Sequence, residues 1–439
     1  MKKMILATVF LALFALSAKA QSTPAPPTVN STLASEKADD IRQRTFDLVW
    51  RTVRDKHFDP NYGGVDWEAV RKQYATRMAE VKSDEELHRM LQQMLGELRQ
   101  SHFNIIPPEV VTPDDAKEPP SGSIGIDLRM IGGNAVITRV DSGSRASAAG
   151  LRPGFILEKI GESTVEEIVD SINKRDEPEG RKNLSKVRRV LSSLSGEPGS
   201  SIKLSYLDHN DSRHEAAVAR ERLKGELSPS FGNFPPQYME FESKRLPDNI
   251  GYLRFNIFMV PIMDKVRAAI RELSDAKGLI FDLRGNPGGV GAMAPGIAGL
   301  LTTKQGSLGT MRMRSNQLNF AFYPQANPYN GPIVILIDGG SGSTSEIFAG
   351  GMQEIGRAVI VGERSVGAAL PSYFQKLPTG ALFQYAIADF KTPKGMLIEG
   401  RGVIPDLEVK LDRASLLAGR DVQLDAGIEQ LRQKSRAVK

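Results

Sequence analysis

The spacing of apolar residues changes character several times along the chain. It opens with a 13-residue apolar run, Met4–Leu16, followed by the polar, proline-rich stretch Gln21–Ala34. Ile41, Phe46, Val49 and Val53 then recur at helical spacing. Leu87, Met90, Leu91, Met94, Leu95 and Leu98 form a single stripe that predicts an amphipathic helix. Its start is marked by Ser83-x-x-Glu86, a capping box that satisfies amide groups left open at a helix N-terminus. The proline-broken segment Pro107–Pro120 ends this region. From residue 121 to about 225, short alternating strands predict a β-rich unit. Within it Glu166–Gly196 carries Leu184, Val187, Leu191 and Leu194 at helical spacing, and its basic residues Lys182, Lys186, Arg188 and Arg189 read as a solvated face. Beyond Ser228–Pro236, buried-strand runs such as Leu279–Leu283 and Ile333–Ile337 alternate with helical stretches, which implies an α/β core with parallel strands.

The pattern divides the chain into a leader (1–20), a linker (21–34), an N-terminal helical region (35–120), a β-rich unit (121–225), an α/β core (226–410) and a C-terminal helical segment (411–439). Lys2-Lys3, the apolar run and Ala18-Lys19-Ala20 have the n-region, h-region and A-x-A site of a secretory signal peptide. The run is shorter than the roughly 20 residues a spanning helix needs. The expected protein is therefore exported to the periplasm or medium, with no membrane span after signal removal. The formal charge of +5 falls to +2 once the three leader lysines are removed, so nucleic acid is not an expected partner. The chain has no cysteine, which excludes disulfides, thiolate metal sites and a cysteine nucleophile. No HExxH or comparable ligand spacing occurs, and neither a metal nor another cofactor is expected. Oligomeric state is left open.

Twelve of the 41 glycines fall in two clusters, residues 285–300 and 331–351, each directly after a buried-strand signal. Glycine at the C-terminal end of a strand lets backbone N–H groups face a cleft. Neither cluster has a phosphate-binding G-x-x-x-x-G-K-[ST] or G-x-G-x-x-G pattern, which leaves an oxyanion hole as the alternative. The second cluster contains Asp338-Gly339-Gly340-Ser341-Gly342-Ser343-Thr344-Ser345-Glu346 ahead of an apolar helix. A serine there meets free N–H groups and the helix dipole, although serine is also an ordinary N-cap.

Two resemblances give this pattern a context. The segments Ser123-Ile124-Gly125-Ile126 and Asp141–Gly154 resemble a bacterial PDZ domain, which implies that Ser123, Ile124, Gly125 and Ile126 form a loop for a peptide C-terminus. The order of PDZ unit, strand, Arg284-Gly285-Asn286-Pro287-Gly288-Gly289, strand, SGSTSEI and Val361-Gly362-Glu363 resembles the C-terminal-processing (tail-specific) serine protease family. That resemblance implies a crotonase-like (ClpP/crotonase-type) α/β protease core with the PDZ unit inserted after the helical region. It implies Ser343 as nucleophile and an oxyanion hole made of Thr344 with Gly289 or Gly288, Gly289 being preferred. The substrate would be a protein or peptide, recognised through its C-terminus or elsewhere.

One position departs from the bacterial pattern. The family lysine, 25 residues after the serine, is replaced by Ala368. Lys376, Lys391 and Lys394 follow, with nothing in the sequence to mark them as buried. The chain is more similar to the branch typified by the tricorn protease core, with Ser101-His102 after the capped helix and Ile398-Glu399-Gly400-Arg401-Gly402-Val403-Ile404-Pro405-Asp406 near the end. This implies His102 as general base, with Ser101 and Glu399 completing the hydrogen-bond network. His57 reads as a helix end, His88 as the polar side of its helix, and His209 and His214 as a strand-turn stretch. The alternative is a catalytically silent relative that binds peptides or hydrophobic ligands, since the core also resembles the repeats of the interphotoreceptor retinoid-binding protein. A PDZ adaptor would leave the core unexplained.

Overall fold

The computed structural model describes residues 29–112, 122–223 and 225–437. The signal-peptide reading and most of the linker lie outside the described residues. The chain separates into the units Met1–Ile41 and Arg42–Lys439, and the second carries the features described below.

Its helical region comprises α1 (Val29–Lys56, which begins in the first unit), α2 (Trp67–Arg77) and α3 (Asp84–Gly96). Asp66 caps α2 by accepting the Ala69 N–H at 2.9 Å, and Ser83 caps α3 by accepting that of Glu86 at 3.2 Å. The Glu86 carboxylate reaches back to the Lys82 N–H, one residue before the cap. The α3 stripe is buried together with Phe46, Val49, Trp50 and Trp67, and the same cluster includes Leu377 and Phe383 from far along the chain. Strand β1 (Asn104–Ile106) pairs with Leu382–Ala386, placing Ile105 opposite Phe383. The segment just before β1, which contains Ser101 and His102, is thereby stitched to the C-terminal part of the molecule. His88 departs from the sequence reading: it is buried and bonds Thr379 Oγ1 at 2.9 Å.

The inserted unit is an antiparallel sheet in the order β2 (Ile126–Ile131), β3 (Asn134–Val140), β4 (Ile156–Ile160), β5 (Ser201–Leu207) and β6 (Arg213–Ala219). Two helices, α4 (Val165–Asn173) and α5 (Glu179–Leu194), complete it. Val187, Val190 and Leu194 of α5 are buried with Leu128 of edge strand β2.

The α/β core is a six-stranded sheet in the order β7 (Phe241–Leu246), β8 (Ile250–Phe255), β9 (Gly278–Asp282), β10 (Ile333–Ile337), β11 (Val359–Gly362) and β12 (Leu407–Glu408). Only the β7–β8 pair is antiparallel. Every residue of β9 and β10 is buried, as expected for parallel strands covered on both faces. Leu279, Phe281 and Ile335 pack with helices α6 (Ile262–Glu272), α7 (Met293–Leu301) and α8 (Thr344–Glu354). Ile280, Val334 and Leu336 face Leu431 of α9 (Val422–Ala437). The first glycine cluster and Gly339, Gly340 and Gly342 of the second follow the carboxyl ends of β9 and β10, where open α/β sheets place their sites.

Candidate active site

The three serines after β10 have different surroundings. Ser341 is fully buried and donates its hydroxyl to the Leu283 carbonyl at 2.8 Å. Ser345 is equally buried and donates to the Asn286 carbonyl at 2.9 Å. These two hydroxyls bind the second glycine cluster to the first. Ser343, between them, remains partly exposed. Its backbone lies at φ 52° and ψ −117°, a strained corner between loop and helix that presents the side chain at the N-terminus of α8.

The N–H groups around this corner separate the two glycines. The Gly288 N–H is already donated to Asn286 Oδ1 at 2.9 Å. Among the described residues, neither the Gly289 N–H nor the Thr344 N–H has a hydrogen-bond acceptor. The Thr344 hydroxyl ties the two loops together by donating to the Gly289 carbonyl at 2.9 Å. Both glycines need their lack of a side chain. With φ +100°, Gly288 would drive a Cβ to 2.7 Å from Ser343 Cβ, and with φ +133°, Gly289 would drive one to 2.2 Å from the Phe258 carbonyl oxygen.

His102 lies in the left-handed region at φ 60°. A chain of hydrogen bonds holds its ring. Nδ1 is 2.7 Å from Ser101 Oγ, Ser101 Oγ donates to Glu399 Oε2 at 2.8 Å, and the Ser101 N–H donates to Glu399 Oε1 at 2.8 Å. Glu399 also accepts the Ala369 N–H at 3.0 Å. Burial raises the Glu399 pKa, while these donors favour its charged form. His57 braces the histidine loop from behind, stacked between Phe58 and Phe103 and bonded to Gln100 Oε1 at 2.9 Å. Burial, followed by the nearby charge of Arg188, lowers the His102 pKa to about 4, so its resting imidazole is neutral.

Segment 365–369 joins the two halves. The Ser343 N–H donates to the Ala368 carbonyl at 2.9 Å, and the next residue, Ala369, holds Glu399. Glu346, whose role the sequence did not reveal, anchors this segment from α8. Its carboxylate accepts from Ser343 N at 3.0 Å, Ser365 Oγ at 2.5 Å, Gly367 N at 2.8 Å and Ala368 N at 2.9 Å. Burial pushes its pKa up to about 7. Among the described residues no direct hydrogen bond joins Ser343 to His102; one short loop connects them. Lys376, Lys391 and Lys394 are all exposed.

Two further anchors also escaped the sequence reading. Arg284 pairs with Asp282 at 2.6 Å and Asp421 at 2.8 Å, fastening the first glycine loop to the start of α9. Arg129 of β2 pairs with Asp338 at 2.6 Å, and Asp338 also accepts the Gly285 and Gly340 N–H groups at 2.8 Å each. A buried aspartate at the carboxyl end of a strand was the available signal in both cases.

The segment Ser123–Ile126 occupies a separate place. The Ser123 N–H donates to the Glu221 carbonyl and the Gly125 N–H to Ser123 Oγ, both at 2.9 Å. Two of the loop's amides are thus satisfied internally. A cavity of about 220 Å³ beside it is lined by Arg129, Arg139 and Arg254 together with Asp127, Asp141 and Glu240, and each of these arginines is ion-paired. Among the described residues no group of three or more His, Asp or Glu side chains is placed to hold a metal ion.

A serine at a strained loop-to-helix corner, with free N–H groups beside it, is the architecture of hydrolases that act through a serine nucleophile. The comparisons with known proteins narrow that class. Residues 249–409 match the model of peptidase family S41, and residues 39–96 match the tricorn protease C1 domain. The carboxyl-terminal-processing protease of Synechocystis sp. is 26% identical over 399 residues, spanning 87% of this chain and 85% of that protein. The chloroplastic carboxyl-terminal-processing peptidase 3 of Arabidopsis thaliana is 25% identical, over 83% of this chain and 68% of its own. In fold, the chain is similar to the photosystem II D1 C-terminal processing protease, with a TM-score of 0.58 at 20% identity over 84% of this chain and 93% of that one. Residues 249–409 thus carry a peptidase family S41 domain, and the chain is a serine peptidase similar to the carboxyl-terminal-processing proteases.

Proposed function

We propose that this is an exported endopeptidase that cleaves protein substrates through an acyl-enzyme, with Ser343 as nucleophile and His102 as general base. The observation that carries the reading is the hydrogen-bond chain from His102 through Ser101 and Glu399 to the loop that holds Ser343. Because Ser101 donates its hydroxyl hydrogen to Glu399, its lone pair accepts from His102 Nδ1–H. That tautomer leaves Nε2 free to take the Ser343 proton. Ser343 Oγ then attacks the scissile carbonyl, and the oxyanion is received by the Gly289 and Thr344 N–H groups. The imidazolium returns the proton to the leaving amine, and water repeats the sequence to release the acyl group. Base and nucleophile tighten to bonding distance when substrate enters, as is common in such sites.

Export rests on the leader pattern of residues 1–20. The β-rich unit is read as a PDZ domain that binds or gates substrate, with Ser123–Ile126 as its carboxylate loop. The silent-binder alternative is not favoured, because the relatives are named as processing proteases. Cleavage of a denatured test protein, with mapping of the products, tests the reading: Ser343→Ala and His102→Ala should each abolish it.

A further inference from the structure

Strand β1 is one outer strand of a three-stranded antiparallel sheet, with Leu382–Ala386 in the middle and Ser372–Lys376 on the other side. Both outer strands grow directly out of the catalytic loops. β1 begins two residues after His102. Ser372 follows four residues after Ala368, whose carbonyl accepts the Ser343 N–H at 2.9 Å. Four residues of chain span at most about 14 Å. A side-chain ladder crosses all three strands: Asn104 Nδ2 donates to Gln384 Oε1 at 2.8 Å, and Gln384 Nε2 donates to Ser372 Oγ at 2.9 Å.

The two edges of this sheet are closed to different degrees. Alternate residues of an outer antiparallel strand turn their N–H and C=O groups away from the partner strand. On β1 one side chain closes them: Gln92 Oε1 accepts the Ile105 N–H at 2.8 Å, and Gln92 Nε2 donates to the Phe103 carbonyl at 3.1 Å. At the other edge, the Ile387 N–H donates to the Pro371 carbonyl at 2.9 Å and the Leu377 N–H to the Ala381 carbonyl at 2.8 Å. This register sets the odd-numbered residues towards the middle strand and turns Ser372 and Phe374 outward. Among the described residues, neither of their N–H groups nor the Ser372 carbonyl has a hydrogen-bond partner. The Phe374 carbonyl has one, Asn233 Nδ2 at 2.9 Å. Asn233 sits in a tight hairpin closed by mutual Phe231 and Phe234 backbone bonds. An unpaired edge of this kind is a template for another extended chain.

We propose that the substrate main chain adds to this sheet as a fourth strand along Ser372–Phe374, displacing the Asn233 amide. This rests on the protease reading above and gives it a substrate class: extended, unfolded segments that present free N–H and C=O groups on alternate residues, read by backbone and not by one required side chain. The occupant is the substrate because the edge is continuous with the loop that holds Ser343. A chain cut at Ser343 needs only about four extended residues to reach Ser372.

The test uses the full-length protein and a synthetic peptide spanning one site cleaved in the denatured test protein, remade with a single backbone N-methyl group at each position in turn. On one side of the scissile bond, kcat/KM should fall by roughly 2- to 10-fold at alternate positions and hold steady between them. Three variants assign the pairing to this strand. Phe374→Pro removes an outward N–H while keeping the bonds to the middle strand, and Phe374→Ala removes the same side chain but keeps the N–H. The proline variant should be slower than the alanine variant by roughly 2- to 10-fold. Asn233→Ala, which frees the Phe374 carbonyl, should lower KM by a similar factor, a gain that loss of a merely structural contact would not produce. Fluorophosphonate labelling of Ser343 reports whether each variant keeps its site, and if Phe374→Pro does not label, the N-methyl series and Asn233→Ala decide. N-methyl sensitivity without alternation, or an unchanged KM in Asn233→Ala, would overturn the strand pairing alone. Self-association of Asn233→Ala in sedimentation, with KM unchanged, would give the edge to a second copy of the chain and overturn it equally. No cleavage of any peptide and no labelling of wild-type Ser343 would overturn the protease reading and the pairing with it.

Discussion

At the residue scale, the acid groups and the histidine of the site set distinct pH dependences. His102 must be neutral to act as a base, and its pKa lies near 4. The acid limb of kcat/KM should therefore fall well below 6.5, the ordinary histidine value, and a pH-rate profile measured between 4 and 8 checks this. Glu346 behaves in the opposite sense. Its folded-state pKa of about 7 lies above the ordinary 4.5, so between these values the folded chain holds a proton that the unfolded chain has released. Its stabilising contribution is complete below 4.5 and is lost as pH rises through 7. In melting curves at pH 5 and pH 8, Glu346→Gln should flatten that difference. The same change leaves buried donors of the 365–368 segment without acceptors, at about 1–3 kcal/mol for each unsatisfied group, and turnover should drop accordingly. Glu346 shows where sequence reading stopped. Its position in GSTSE was visible, but a buried carboxylate that adds to the Ser343 N–H three donors from a segment 19 to 22 residues away cannot be derived from local pattern.

At the scale of elements, hydrophobic period carried most of the information. The α3 stripe and the all-apolar runs of β9 and β10 were legible because burial on one face, or on both, leaves a direct imprint on spacing. Helix α5 was legible as a helix but not in its surroundings. The period that identified Val187 and Leu194 as core also gave the basic residues a solvated face, on which Arg188 and Arg189 are exposed, but it could not show that Gly180 and Arg181 at the start of the helix meet Val366 and Arg99. His88 was misread for a related reason: its partner, Thr379, lies 291 positions away. The glycine loop offers a sharp test of an element. In Gly289→Ala, the methyl group would meet the Phe258 carbonyl oxygen and break the bridge that aligns residues 258 and 289. Loss of activity with a lowered Tm is expected. Unchanged values for both would show that the loop tolerates displacement.

At the scale of the whole molecule, the site requires three regions to meet. Ser101 and His102 follow the helical region, Ser343 and Glu399 belong to the α/β core, and Arg129 reaches from the inserted unit to Asp338 at the base of the nucleophile loop. Removing one partner of such a buried pair strands the other charge, at a cost of about 3–5 kcal/mol. Arg129→Ala should therefore melt earlier and label more slowly at Ser343, even though residue 129 contacts no reacting atom. The central claim is that a histidine, not a lysine, activates Ser343. The most direct measurement is the rate of covalent labelling by a fluorophosphonate, with the modified residue located by mass spectrometry. Wild type and the Lys376, Lys391 and Lys394 alanine variants should label at Ser343 at similar rates, and His102→Ala should be slower by roughly 10²- to 10⁴-fold. Labelling of His102→Ala at the wild-type rate, or modification of a residue other than Ser343, would contradict the account.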